Sequence, residues 1–199
     1  MKATDCILEV SKLVNMTDVT SYIESYNAAI VSEQTPPVMT SQVSARIKNI
    51  ITCINMVIER ITSEYFPLTN SENLTTDSSG KILYSAASKR VYEIVKVYEE
   101  STNLRVIPYF GTDYIILPKA NTSYKVFYRY LPSFINLISD SFEVSPLITV
   151  RLLSFAVVSD LLLLLNSFDE AREWNERFLS GIRMLKKIGR EIRFKKNGL

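Results

Sequence analysis

Histidine is absent from this chain of 199 residues. Its absence removes the Ser-His-Asp type of nucleophilic triad and every histidine metal site. Glycine is scarce, with five residues scattered along the sequence. No glycine-rich loop can therefore cradle a phosphate, and GxGxxG, GxxxxGK[ST] and GxSxG are all missing. The two cysteines, Cys6 and Cys53, each fall inside an apolar helical pattern. They are expected to be buried free thiols, not a disulfide framework or a metal site. The first residues, MKATDCILEV, lack the apolar core of a signal peptide, which implies synthesis in the cytosol. Carboxylate pairs such as Glu99-Glu100 lie in turn-like surroundings and are expected to be solvated. With no nucleophile motif and neither cofactor nor metal expected, the sequence reads as a non-enzyme.

What is present is organised around one apolar stretch, Ser145 to Asn166 (SPLITVRLLSFAVVSDLLLLLN). Ser145 suits an N-cap and Pro146 the first helical position. A helix apolar on most sides has to be buried on most sides. It has nearly the length of a membrane span, but Arg151 and Asp160 would each cost roughly 2.5–3.5 kcal/mol at a bilayer centre. The core reading is preferred, with Asp160 assigned to a salt bridge or cap. A second helix runs from Ser41 to Tyr65, with Val43, Ile47, Ile50, Ile51, Ile54, Val57, Ile58 and Ile61 at steps of three and four. Thr4 is placed to cap a first helix, and a shorter one spans Val19 to Val31 before Gln34-Thr35-Pro36-Pro37 interrupts. Ser167 and Glu170 read as a capping box. They open a last amphipathic helix over 168–192, with Trp174 and Phe178 packing on the apolar helix in an antiparallel hairpin.

Between Gly80 and Pro132 the period changes. Lys81–Tyr84, Val91–Tyr98, Leu104–Tyr109, Tyr114–Leu117 and Tyr124–Tyr130 are short runs rich in Val, Ile, Tyr and Phe, joined by short connections. Five antiparallel strands are expected there, preceded by a polar surface loop over 69–80. The tyrosine face of the last strand (Tyr124, Val126, Tyr128, Tyr130) is assigned to core or subunit interface rather than to base stacking. The expected fold is α+β. It has a helical layer from 41–65, 146–165 and 168–192, with a small antiparallel sheet or barrel inserted over 81–130. The whole chain reads as one domain, with an N-terminal helical segment over 1–40.

Charge is unevenly placed. Residues 183–196 hold seven cations against Glu191 alone, +6, which leaves −4 on the rest of a chain whose total is +2. A basic end on an acidic body points to an acidic partner or nucleic acid. The bland alternative is a solvated helix end whose cations oppose the dipole.

Two passages carry a family likeness. One is ERITSEYFPL (59–68). The other is YRYLPSFINLISDSFEVSPLITVRLLSFAVVSDLLLLLNSFDEAREWNERFLSGIRML (128–185), where an aromatic last strand leads through a proline turn and acidic lead-in to a buried helix and a DEA-x-x-W helix. From about residue 40 to 185 the order of elements resembles the head–tail connector, or adaptor, proteins of tailed bacteriophages. The resemblance implies a homo-oligomeric ring, commonly of twelve copies, in the virion neck. Such a ring sits beneath the portal protein, extends the channel for packaged double-stranded DNA and offers a surface to the tail or a tail-completion protein. It implies no membrane partner and no cofactor. It also implies that the basic C-terminal arm, 183–199, docks on the portal through Lys186, Lys187, Arg190, Arg193, Phe194, Lys195 and Lys196. The β insert is larger than in the smallest, mostly helical members. The alternative is a nucleic-acid-binding module that uses the same basic helix.

Overall fold

The structure, a computed structural model, describes residues 1–196, with side chains through Lys187. The described residues are α+β: five α-helices and two small antiparallel sheets, with no closed barrel among them. The chain divides into two compact units, a helical one (1–58 and 134–199) and a β unit inserted in it (59–133).

The helical unit contains α1 (Ala3–Leu13), α2 (Thr17–Val31), most of α3 (Ser41–Arg60), α4 (Val150–Leu164) and α5 (Phe168–Lys196). Helix α1 packs on α2 and α4, and α4 packs on α5. The expectation that Thr4 caps α1 is not met, because α1 begins at Ala3 and Thr4 is buried in its first turn. The chain itself does the capping: Ala3 N–H donates to the Asp140 carbonyl at 2.9 Å, beside a bridge between Lys2 and Ser141. The apolar helix also starts later than expected. Thr149, not Ser145, is its N-cap, its hydroxyl accepting from the Leu152 N–H at 3.2 Å. Ser145 and Pro146 instead form a preceding turn closed by Ile148 N–H on the Ser145 carbonyl.

Three helices stop in the same way. After α1, α2 and α4, the residues Asn15, Glu33 and Asn166 take φ of 55°, 55° and 61°. In each case the next N–H bonds back to the carbonyl five residues earlier: Met16 to Ser11, Gln34 to Ala29 and Ser167 to Leu162. This is the Schellman stop, which consumes carbonyls that a helix end leaves unpaired. The last of these folds α4 onto α5 as a tight hairpin. Phe178, Ala171 and Ile182 are buried, and the Ser159 hydroxyl donates to the Ala171 carbonyl at 2.8 Å. The helices approach so closely at Gly181 that a Cβ there would lie 2.5 Å from Leu152 Cδ1. Trp174 packs on Phe155 as expected, with centroids 5.4 Å apart, but is only half-buried, with the Arg177 guanidinium over its outer face.

Between the helices, Cys6 Sγ meets Ser154 Oγ at 3.8 Å, and Arg46 bonds Asp18 at 2.6 Å to tie α3 to α2. The Asn55 side chain clasps the Ile135 backbone in both directions, at 2.9 and 2.8 Å. Both cysteines are buried free thiols. Burial pushes Cys6 up to about 12 and Cys53 up to about 11, the latter helped by the nearby Asp160 carboxylate. Asp160 is itself buried, on α4.

In the β unit the end of the long helix loosens into a π turn, Ile61–Tyr65, closed by Phe66 N–H on the Ile61 carbonyl. The hydroxyls of Thr62 and Ser63 bond the Glu59 carbonyl at 3.1 and 2.8 Å. They thereby compete with the helical ladder at that point. Seven strands follow: β1 (Leu68–Thr75), β2 (Lys81–Leu83), β3 (Arg90–Glu99), β4 (Arg105–Val106), β5 (Tyr109–Phe110), β6 (Tyr114–Ile116) and β7 (Ser123–Leu131). They form sheets of order β1-β7-β3-β4 and β2-β6-β5. Tyr124, Val126, Tyr128 and Val97 of the first and Ile82, Ile115 and Leu117 of the second share one core. The tyrosine face of β7 is therefore core, as one of its two assignments had it.

Three expectations for this unit are corrected. Residues 69–75, within the expected loop 69–80, belong to the edge strand β1, paired along its whole length with β7. Its inward positions include Asn70 and Glu72, so no apolar alternation was visible. Their polarity is absorbed by the buried Tyr128 hydroxyl, which donates to Glu72 and accepts from Asn70 Nδ2 at 2.9 Å. The single strand expected over 104–109 is two short ones in different sheets, separated by Pro108, which has no N–H to give a ladder. Glu99 is buried rather than solvated, and bonds Lys119 Nζ at 2.6 Å.

Candidate interaction surfaces

Among the described residues no group of three His, Cys, Asp or Glu side chains could hold a metal ion. No helix among them is long and apolar enough to cross a membrane. The features left to consider are surfaces, and three stand out.

The first is the basic end of α5. The helix opens with Asp169 and Glu170 and ends in cations, so its charges oppose its dipole at both ends. Ile182 is buried and Leu185 half-buried, while Arg183, Lys186 and Lys187 are exposed at spacings of three and four that share one side of a helix. The helix continues to Lys196, past the expected stop at 192. Of the expected docking residues, Lys186 and Lys187 are thus on an exposed helical face. Arg190, Arg193, Phe194, Lys195 and Lys196 lie in α5, but their side chains are outside the described residues, as is 197–199 altogether.

The second surface is the segment Leu104–Phe110. It supplies the open edges of both sheets, β4 for the first and β5 for the second. Leu104, Ile107, Tyr109 and Phe110 are 63% to 83% exposed, and Val95 on β3 lies beside them across a shallow groove. The opposite edge, β1, presents Thr69, Ser71, Asn73 and Thr75 to solvent. The two-residue strands, Arg105 and Pro108 limit further backbone pairing along the apolar edge, so what it offers is its side chains.

The third is the tip of the α4–α5 hairpin. The Schellman stop at Asn166 turns Leu163, Leu164 and Leu165 outward with Phe168, at 46% to 63% exposure. Asp169, Glu170 and Glu173 are exposed next to them. A cavity of about 500 Å3 also lies between α3 and residues 135–139. Its walls mix Ile47, Ile51, Ile135 and Leu137 with polar Ser44, Thr52, Asn55, Asn136 and Ser139, and Lys48 is the one charged group.

The sequence pointed to the first surface through its charge. It did not point to the other two, because an apolar run looks the same in sequence whether it is covered or bare. No protein-family model matches the chain, and no curated protein matches it either.

Proposed function

We propose that this chain is a structural protein of a tailed-phage neck, a head–tail connector or adaptor without catalytic activity. It would be made in the host cytoplasm and act in the virion. There it forms a ring, of the twelve copies usual for such proteins, under the portal. The ring extends the channel for packaged double-stranded DNA and receives the tail or a tail-completion protein. The observation that carries this reading is the order of parts. A long helix runs into an inserted β unit, and the chain then returns through an apolar helix to a hairpin ending in a basic amphipathic helix. Two bare apolar surfaces on one chain of this size also suit a protein whose partners are other proteins.

In this reading the exposed face with Lys186 and Lys187 begins the portal-docking arm. Truncation after Ile188 tests it. The truncated protein is expected to fold but to fail to join portal-containing heads, leaving heads that leak DNA or lack tails. If it joins portals normally and loses only salt-sensitive DNA affinity, the basic helix is a nucleic-acid element and that second function replaces the first.

A further inference from the structure

We infer that the apolar edge Leu104–Phe110 of one copy receives the α4–α5 hairpin tip of a second copy, a head-to-tail contact between two different patches. This deepens the ring reading above by naming the surfaces that would build the ring.

Three observations carry it. The first is exposure. The edge bares Leu104, Ile107, Tyr109 and Phe110, and the tip bares Leu163, Leu164, Leu165 and Phe168, four large apolar side chains on each side of the contact. Contiguous exposed apolar groups of this kind mark protein–protein surfaces. The second is charge. Arg105 is exposed within the edge patch, while Asp169 and Glu170 are exposed beside the tip. Of the other charges near the edge, Glu99 is engaged by Lys119 and Lys96 lies over the Phe127 and Tyr98 rings, while Asp113 is exposed on the β5–β6 turn. Near the tip Arg172 reaches Glu176. The third is shape. The tip is a narrow helical turn made of consecutive leucines, whereas the edge is a broken pair of two-residue strands around Pro108. The two are unlike, so a contact between them is heterologous and not two-fold. A contact between unlike patches leaves one of each free on every dimer. It therefore propagates, to a closed ring or an open chain according to the angle between copies.

Ile107→Glu and Leu164→Glu test this on the full chain. Both positions are exposed, so the fold should survive, as far-UV circular dichroism would check. By sedimentation at tens of micromolar, the wild type is expected to form assemblies larger than a dimer, and each variant alone a monomer. An equal mixture of the two is expected to form a dimer and nothing larger, because each variant keeps the half that the other has lost. A monomeric wild type, an oligomer of either variant alone, or a mixture that stays monomeric would overturn the inference. A second pair guards against misfolding. Arg105→Glu should weaken assembly at least tenfold, and Asp169→Lys with Glu170→Lys should restore it; failure to restore counts against the contact. None of these measurements involves a portal. A failed docking arm and a failed ring contact therefore give different results.

Discussion

Replacing Tyr128 by Phe removes one oxygen atom from the core of the β unit. That hydroxyl is the reason β1 can place Asn70 and Glu72 on its inward side. It donates to the Glu72 carboxylate and accepts from Asn70 at 2.9 Å, and Tyr128 is fully buried. Partial burial pushes Glu72 up, but the bonds from Tyr128 and from Ser88 outweigh it and hold the carboxyl below its ordinary 4.5. A hydrogen bond to a charged group contributes about 1.5–3 kcal/mol and a neutral one about 1 kcal/mol. Against that, Glu72 keeps the Ser88 N–H at 3.0 Å and is only half-buried. The net loss for Tyr128→Phe should be about 2 kcal/mol, which shifts a urea midpoint by roughly 1 M. The one tryptophan, Trp174, lies in the helical unit, so the loss has to be read from tyrosine circular dichroism or from amide exchange along β1 and β7. Combined with Glu72→Gln, the double variant should be about 1 kcal/mol less destabilised than the sum of the two single changes. A loss under about 0.5 kcal/mol, or strict additivity, would mean that backbone pairing alone holds β1 in place.

Glu33 ends α2 at φ of 55°, a conformation costing an ordinary side chain about 1 kcal/mol. Glu33→Gly should therefore raise stability by up to about 1 kcal/mol in a denaturant titration, and a loss would show that the Schellman turn needs that side chain. Trp174→Ala should cost about 2 kcal/mol, below the 3–5 of a fully buried site, because the ring is half-buried against Phe155; a loss under 0.5 would detach Trp174 from the hairpin. Lys119 bonding holds Glu99 below its ordinary 4.5. Its contribution is therefore complete above pH 4.5 and lost as pH falls through the lower folded value. In Glu99→Gln the gap between urea midpoints at pH 7 and pH 3 should narrow, and an unchanged gap would show that this pair does not shape the acid limb.

The helices were legible because each buries a stripe at steps of three and four, and α3 and the α4–α5 hairpin fall close to where those stripes place them. Their starts were less so. Thr4 and Ser145 look like caps, but a cap depends on which oxygen the first free N–H groups reach. At α1 that oxygen belongs to Asp140, far along the chain. Strand β1 was hidden for a different reason, since its inward Asn70 and Glu72 have a partner that only the register with β7 supplies. The segment 104–109 read as one apolar strand, although Pro108 within it marks the break. What the sequence does not carry is that the two halves join different sheets and leave Ile107 and Tyr109 bare. Of the candidate surfaces, only the basic end of α5 was visible as charge.

The insertion of the β unit has a consequence for how the chain folds. Its first and last long strands, β1 and β7, are hydrogen-bonded neighbours, with Leu68 opposite Tyr130. Left unfolded, residues 59–133 would be a loop of 75 residues that must close before α3 can join the helices on its far side. Once β1 has zipped to β7, only about a dozen flexible residues remain in that loop, and its closure costs about 1.5 kcal/mol less. The sheet thus acts as a clip on the chain, and assembly of the helical unit should be fastest in molecules whose insert has already formed.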